Sequence, residues 1–463
     1  MKNNNKNNDL DLFTPIVEIF HELCMMLVEV VTELGKYVWR RITKSPAEVK
    51  KIERKALASK KETKKTEALG VDTRTRRDIL LKDIDFTKHS FIVGASGYGK
   101  TNLISMLQEN NLKNNKPIIF IDPKGDMDAL KTFKKLCETN GRTCYLFSEH
   151  YKDSISLNPV LEGSVSLVKK RIMDSFEWSE PYYKNQCKIT LSKALNKIKQ
   201  DGHNFTLKRI YDYVCELQNK DNLGLIVQLQ DILESDFGKI LSSDEGITFS
   251  QIREERACLY IGLSTQGYGE IARVVGKLFL NELLYNSYCS LKDDNSKAKA
   301  KANPISVYFD EFGAIVTPEF IELQNKCRGA GMELTMAVQT VADINRVSPD
   351  LTQQVVENAN NIFILKQRLQ DNASYFSESI GTVIAKKLTY QTENDEAQST
   401  GTVREVNELI VHPDIIKNLR VGQCVLLRQS PTQVNLINIR NREMEAMNKL
   451  NQLIEEGEIT LDF

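Results

Sequence analysis

From about residue 88 the chain alternates short, almost continuously apolar runs with longer stretches of helical periodicity. The runs fall at residues 90–93, 117–121, 143–147, 258–263, 305–309, 334–338, 361–365 and 424–427. A strand covered on one face alternates apolar and polar side chains, and these runs lack that alternation. They predict strands buried on both faces, and so an α/β fold with a mainly parallel sheet clothed by helices. Between residues 157 and 249 the strand-like runs stop. Apolar periodicities suited to helices replace them at 165–178, 182–198, 207–217 and 224–241. The pattern predicts an all-α domain over residues 157–250, inserted into an α/β motor domain of residues 81–156 and 251–440. The ends of the insertion are expected to lie near each other on one sheet edge. Residues 441–463 read as a polar C-terminal helix.

Residues 12–39 are strongly apolar, but Glu18, Glu22, Glu29 and Glu33 interrupt them. With Lys36 and Arg40 these charges recur on one helical face, while Ile16, Phe20, Leu23, Leu27, Val30, Leu34 and Val38 share the other. Four carboxylates are costly in hydrocarbon, so an amphipathic N-terminal helix over residues 1–45 is expected rather than a simple span. It would lie on a membrane surface, on a partner, or on its own protein. Residues 36–65 hold 12 Lys/Arg against 3 Glu. A basic linker over 46–80 is expected, either a solvated helix or a segment drawn to anionic lipid. No small-residue cleavage site follows an apolar core, so no cleavable signal peptide is expected.

Composition adds limits. The 463 residues carry 62 Lys+Arg and 62 Asp+Glu, a formal net charge of zero, so any contact with nucleic acid must come from a local patch. Nine scattered cysteines without a C-x-x-C pair favour reduced thiols over a disulfide framework or a zinc site.

The chemistry is concentrated at strand ends. The first apolar run leads into Gly94-Ala95-Ser96-Gly97-Tyr98-Gly99-Lys100-Thr101 and then into a helix, matching G-x-x-x-x-G-K-[ST] in a strand–loop–helix setting. Its glycines let successive backbone N–H groups turn toward phosphates, and the helix N-terminus adds its positive end. Lys100 is expected to neutralise the γ-phosphate of ATP, with the Thr101 hydroxyl completing a Mg²⁺ shell. The run at 305–309 ends in Asp310-Glu311, carboxylates suited to holding Mg²⁺ (Asp310) and to deprotonating the attacking water (Glu311). Two other runs end in Asp122-Pro123-Lys124-Gly125-Asp126 and in Gln339, whose amide suits a γ-phosphate sensor. Arg328, before a glycine turn, reads either as a surface or helix-capping residue or as an arginine finger for a neighbouring subunit. Lys124 and Lys366 are candidate basic groups for a DNA pore, though isolated surface lysines are the simpler reading.

The ordered motifs 121–126, 155–159, 310–331 and 337–340 resemble those of the TraD-like type IV coupling proteins of bacterial conjugation, over roughly residues 80–440. The resemblance implies a RecA-like P-loop NTPase, related to FtsK and HerA translocases, that assembles as a homo-hexamer. It implies ATP hydrolysis that pumps DNA and delivers a relaxase–DNA complex to a type IV secretion channel. It matches Arg328 to the finger, Gln339 to the sensor, and the inserted helices to the module that meets relaxosome proteins. A place in the bacterial cytoplasm at the inner-membrane face follows, with only peripheral membrane contact. Two departures stand out: the family's transmembrane hairpin is replaced by the Glu-bearing segment, and Tyr98 occupies a loop position where a small residue is usual. A HerA- or FtsK-like helicase or packaging motor without secretion, and an ATP-gated docking platform that threads no DNA, are the alternatives.

Overall fold

The computed structural model describes residues 68–217, 220–393 and 396–441. The amphipathic helix expected at 1–45, the linker up to residue 67 and the tail helix beyond Asn441 lie outside the described residues. In chain order the strands are β1 (Gly70–Asp72), β2 (Asp78–Ile79), β3 (Ser90–Val93), β4 (Ile118–Asp122), β5 (Cys144–Phe147), β6 (Cys258–Gly262) and β7 (Ile305–Phe309). They continue with β8 (Met332–Val338), β9 (Asn361–Ile364), β10 (Thr382–Glu393), β11 (Glu396–Leu409), β12 (Gln423–Gln429) and β13 (Thr432–Ile439). Among the described residues, eleven of them form one sheet in the order β2-β1-β13-β12-β9-β3-β8-β7-β4-β6-β5. The seven from β9 to β5 are parallel. β12, β13, β1 and β2 extend the sheet as antiparallel neighbours. β1 and β2 lie within the stretch expected to be linker; Val71 and Ile79 are buried there.

Successive side chains of a strand point to opposite faces, and both faces here are dry. Ile119 and Ile121 enter one core, while Ile118 and Phe120 enter the other. Helices α1 (Lys100–Lys113) and α2 (Met127–Thr139) cover the second face through Leu103, Leu107, Leu130 and Phe133. The first face is covered by the insertion: α3 (Val165–Ser175), α4 (Pro181–Gln200), α5 (Leu207–Glu216) and α6 (Leu223–Glu234). The long helix α7 (Thr265–Ser290) completes that layer.

The two ends of the helical block meet. Leu157 N–H donates to Ile240 O at 2.9 Å and Ile247 N–H to Ser156 O at 2.9 Å. Side chains cap its helices, with Ser164 Oγ accepting from Leu167 N–H and Thr206 Oγ from Arg209 N–H. The periodicity at 224–241 resolves into two helices, because the chain breaks at Ser235 and restarts over Gly238–Leu241. That break buries Phe237, whose ring stacks 6.2 Å from Phe147 at the end of β5. Phe147 also meets Phe279 of α7 edge-on at 5.3 Å. Block and sheet therefore share one hydrophobic core. α8 (Phe320–Cys327) and α9 (Gln370–Ile380) complete the elements needed below, and the β10–β11 hairpin stands apart as a two-stranded ladder.

Candidate nucleotide site

The C-terminal ends of β3, β4, β7 and β8 converge on a cleft of about 310 Å³ lined by Ser96, Gly97, Gly99, Lys100, Thr101, Asp122, Lys124, Asp126, Asp310 and Glu311. Open parallel sheets place ligands at this end, since helix N-termini point into the crevice there. β3 enters the loop with Gly94 N–H on Val338 O at 3.2 Å, tying the loop to β8. Gly97 and Gly99 have φ of 80° and 101°, in the region L side chains disfavour, and Gly99 precedes the first turn of α1. Of the loop residues, Ser96, Gly97, Gly99, Lys100 and Thr101 line the cleft, whereas Gly94, Ala95 and Tyr98 do not. Ala95 is held by its N–H on Lys366 O at 3.1 Å.

Lys100 is buried, with Nζ donating to Gly94 O at 3.0 Å and standing 3.8 Å from Glu311 Oε1. Burial lowers its pKa, opposed by the carboxylates of Glu311 and Asp310. Glu311 adopts left-handed backbone angles (φ 45°, ψ 43°), a conformation that costs a non-glycine residue about 1 kcal/mol. Its side chain accepts a 2.9 Å hydrogen bond from Gln339 Nε2. Lys100, Glu311 and Gln339 are thus brought together within one chain.

Asp310 is pushed up to about 6, first by burial and then by the charges of Asp122 and Glu311. Asp122 is also raised by burial, although Tyr260 OH (2.7 Å), Lys124 N–H and Asp126 N–H all donate to it. Lys124 Nζ pairs with Asp126 Oδ2 at 2.7 Å at the cleft mouth. A desolvated, acid-rich corner facing a phosphate-type loop calls for a hard cation. Asp310 and the Thr101 hydroxyl supply the oxygen donors that suit Mg²⁺. Among the described residues no group of three or more His, Cys, Asp or Glu could hold a metal.

Arg328 is not part of this cluster. It follows α8 at the opposite, N-terminal edge of the sheet, and its side chain is exposed. There the preceding Cys327 Sγ lies 3.4 Å from Nε2 of His89, the residue that leads into β3. His89 accepts from Leu334 N–H at Nδ1 (3.2 Å), and burial, then the Arg328 charge, hold it down to about 4. From His89 to Gly94 is roughly 15 Å of strand, so Arg328 faces away from its own phosphate loop.

Two supporting residues were not singled out in the sequence. Tyr260 presents its hydroxyl to Asp122 from β6, and its signal was a phenol near the end of an otherwise aliphatic run. Asp343 accepts Thr340 N–H at 3.1 Å, fixing the turn after Gln339, and its charge also acts on Lys100. The Thr340-x-x-Asp343 spacing was visible as a turn-capping pattern.

Comparison with known proteins now has a geometry to attach to. Residues 304–420 match the family described as the TraM recognition site of TraD and TraG, and residues 77–161 match the central domain of the helicase HerA. The bacterial conjugative coupling protein TrwBΔN70, unbound, is similar in fold at a TM-score of 0.60 and 12% identity, covering 84% of this chain and 91% of that one. TrwB with ADP and Mg²⁺ gives 0.59 at 14% identity, with 85% and 92% covered. VirB4 of Thermoanaerobacter pseudethanolicus gives 0.57 at 15%, with 84% and 100% covered. No curated protein sequence matches the chain. With a glycine-rich phosphate loop, facing strand-end carboxylates and both family matches set in one RecA-like sheet, the chain is a P-loop ATPase similar to the TraD-like coupling proteins.

Proposed function

We propose that the chain is the ATP-driven DNA-translocating motor of a conjugative coupling system, working as a homo-hexameric ring that hands relaxase-bound DNA to a type IV secretion channel. One observation carries the reading furthest. Lys100, Asp310 and Glu311 line one cleft and Gln339 bonds to Glu311, whereas Arg328 stands exposed on the opposite edge, so on this reading a neighbour supplies the arginine. The match over 304–420 supports a relaxosome partner, and the helical block over 157–250 is the module proposed to meet it. Among the described residues no helix is long and apolar enough to cross a membrane. Contact with the cytoplasmic face of the inner membrane is assigned to residues 1–45.

In the proposed reaction a water attacks the γ-phosphorus in line, the bond to the β-phosphate oxygen breaks, and ADP leaves. Glu311 takes the water's proton, and Gln339 holds the Glu311 carboxylate in place until then. Lys100 meets charge on the transferred phosphoryl group, joined by Arg328 of the next subunit. Asp310 and Thr101 would hold Mg²⁺, which would supply neutralisation of phosphate charge. DNA is gripped through its backbone, which makes binding salt-sensitive and weakly sequence-dependent.

The test is a mating assay with ATPase measured alongside, using Lys100→Ala and Glu311→Gln. Loss of DNA transfer in both, with DNA-stimulated ATPase in the wild type, is expected. Normal transfer by either variant refutes the coupling role. The match to the HerA central domain favours one second reading, a motor without secretion, for which DNA-stimulated ATPase persists while mating is indifferent to the chain.

A further inference from the structure

Tyr98 stands in the phosphate loop where a small side chain would serve, and the surroundings of its ring indicate why a large one is there. Lys366 Nζ lies 5.1 Å from the ring centroid and the Arg368 guanidinium carbon 5.9 Å. The hydrogen bond from Lys366 holds the phenol below its ordinary pKa. The backbone is tied on both sides: Ala95 N–H donates to Lys366 O at 3.1 Å, and Gly422 N–H donates to Tyr98 O at 3.2 Å. Val421, beside Gly422, lines the phosphate cleft with its side chain 57% exposed. An exposed aliphatic residue, a half-buried aromatic ring and two cations are thus gathered at one rim.

The direction of the nucleotide places that rim. Lys100, Glu311 and Gln339 converge on the β7–β8 flank of β3, which sets the γ-phosphate end there. The phosphate chain then runs back through the loop to the first turn of α1. Its ribose and base must leave on the other flank, bounded by the end of β9 and the turn before β12. Those two segments are the ones that carry Lys366, Arg368 and Val421.

Resting on the ATPase reading above, we infer that Tyr98, Arg368 and Val421 form the base-and-ribose end of the site and receive the planar base of a purine nucleotide. Aromatic and guanidinium planes stack on any purine, and a flanking aliphatic side chain excludes water from the other side. Lys366 sets the orientation of the Tyr98 ring from the β9 side.

The experiment is calorimetric titration of the full chain with ATP and with inorganic tripolyphosphate, each with Mg²⁺, the second ligand having phosphates and no base. Tyr98→Ala and Arg368→Ala are expected to weaken ATP roughly tenfold and leave tripolyphosphate unchanged, while Tyr98→Phe keeps wild-type affinity for both. Lys100→Ala is expected to lose both ligands. Equal weakening of both ligands in Tyr98→Ala and Arg368→Ala would make the cluster a phosphate contact and overturn the inference. Unaltered ATP affinity in both variants overturns it while leaving the phosphate loop's role intact. A wild-type chain that binds neither ligand overturns the ATPase reading, and this inference with it.

Discussion

The two ends of the parallel strands both carry charge, and they treat it in opposite ways. At the N-terminal end Lys116 and Glu333 are buried and paired at 2.8 and 3.0 Å. Glu333 also accepts from Ser306 Oγ at 2.8 Å, and Asn111 donates to both Ser306 and the Tyr308 hydroxyl. The Lys116 ammonium lies 5.4 Å from the Phe86 ring centroid. At the C-terminal end Asp122, Asp310 and Glu311 crowd around a single buried lysine, and burial drives Asp310 up to about 6. A closed polar network of the first kind orders a fold, whereas a corner short of positive charge is arranged for a ligand.

Removing the lysine of the open end should have the largest effect. Lys100→Ala is expected to abolish measurable ATP binding, and Glu311→Gln to keep binding while lowering turnover at least about a thousandfold. Retained turnover in Glu311→Gln would assign the base elsewhere. Arg328→Ala is expected to lower turnover by about a thousandfold with ATP affinity unchanged. Mixing it with Lys100→Ala chains, which still carry Arg328, should recover part of the activity. No recovery in mixed assemblies would place the finger's partner in its own chain.

At the closed end the expected loss is in stability. Glu333→Ala removes the carboxylate paired with the buried Lys116 ammonium and should cost about 3–5 kcal/mol in denaturant unfolding. A cost below about 1 kcal/mol would show that the two ends do not differ as described. Asp310→Asn should act in the opposite direction and more weakly. The folded chain holds Asp310 neutral until pH about 6, whereas its ordinary value is 3.8, so ionisation costs the fold stability as pH rises between those values. Without nucleotide or metal, the variant should be more stable by at most about 3 kcal/mol at pH 7.5, with the gain shrinking as pH falls from about 6 towards 3.8. A variant less stable than wild type at pH 7.5 would refute the crowding argument.

The same contrast explains what could be read from the chain before its structure. The eight apolar runs stood out because strands buried on both faces carry few polar interruptions and no alternation. β1 and β2 escaped notice because three and two residues are too short to show a period. β13 opens on the polar Thr432-Gln433, and the β10–β11 ladder mixes Lys386, Lys387 and Glu405 with its apolar positions. Lys100, Asp310 and Glu311 were legible as loop and strand-end chemistry. The Gln339–Glu311 bond, the Tyr260 prop and the seat of Tyr98 were not, because each joins residues 28 to 268 positions apart and exists only once β3, β4, β6, β7, β8 and β9 are in register. Arg328 was legible as a residue type, but its place on the far edge came only from the Cys327–His89 contact.

Lys100, proposed to meet the phosphate, is engaged by Gly94 O and stands beside Oε1 of Glu311, the proposed base, and the Gln339 amide donates to that same oxygen. A γ-phosphate bound as proposed would compete with Gly94 O and Glu311 for the Lys100 ammonium. On the proposed reading the substrate is the key that parts lysine from carboxylate, and a site without nucleotide keeps both groups occupied with their own neighbours.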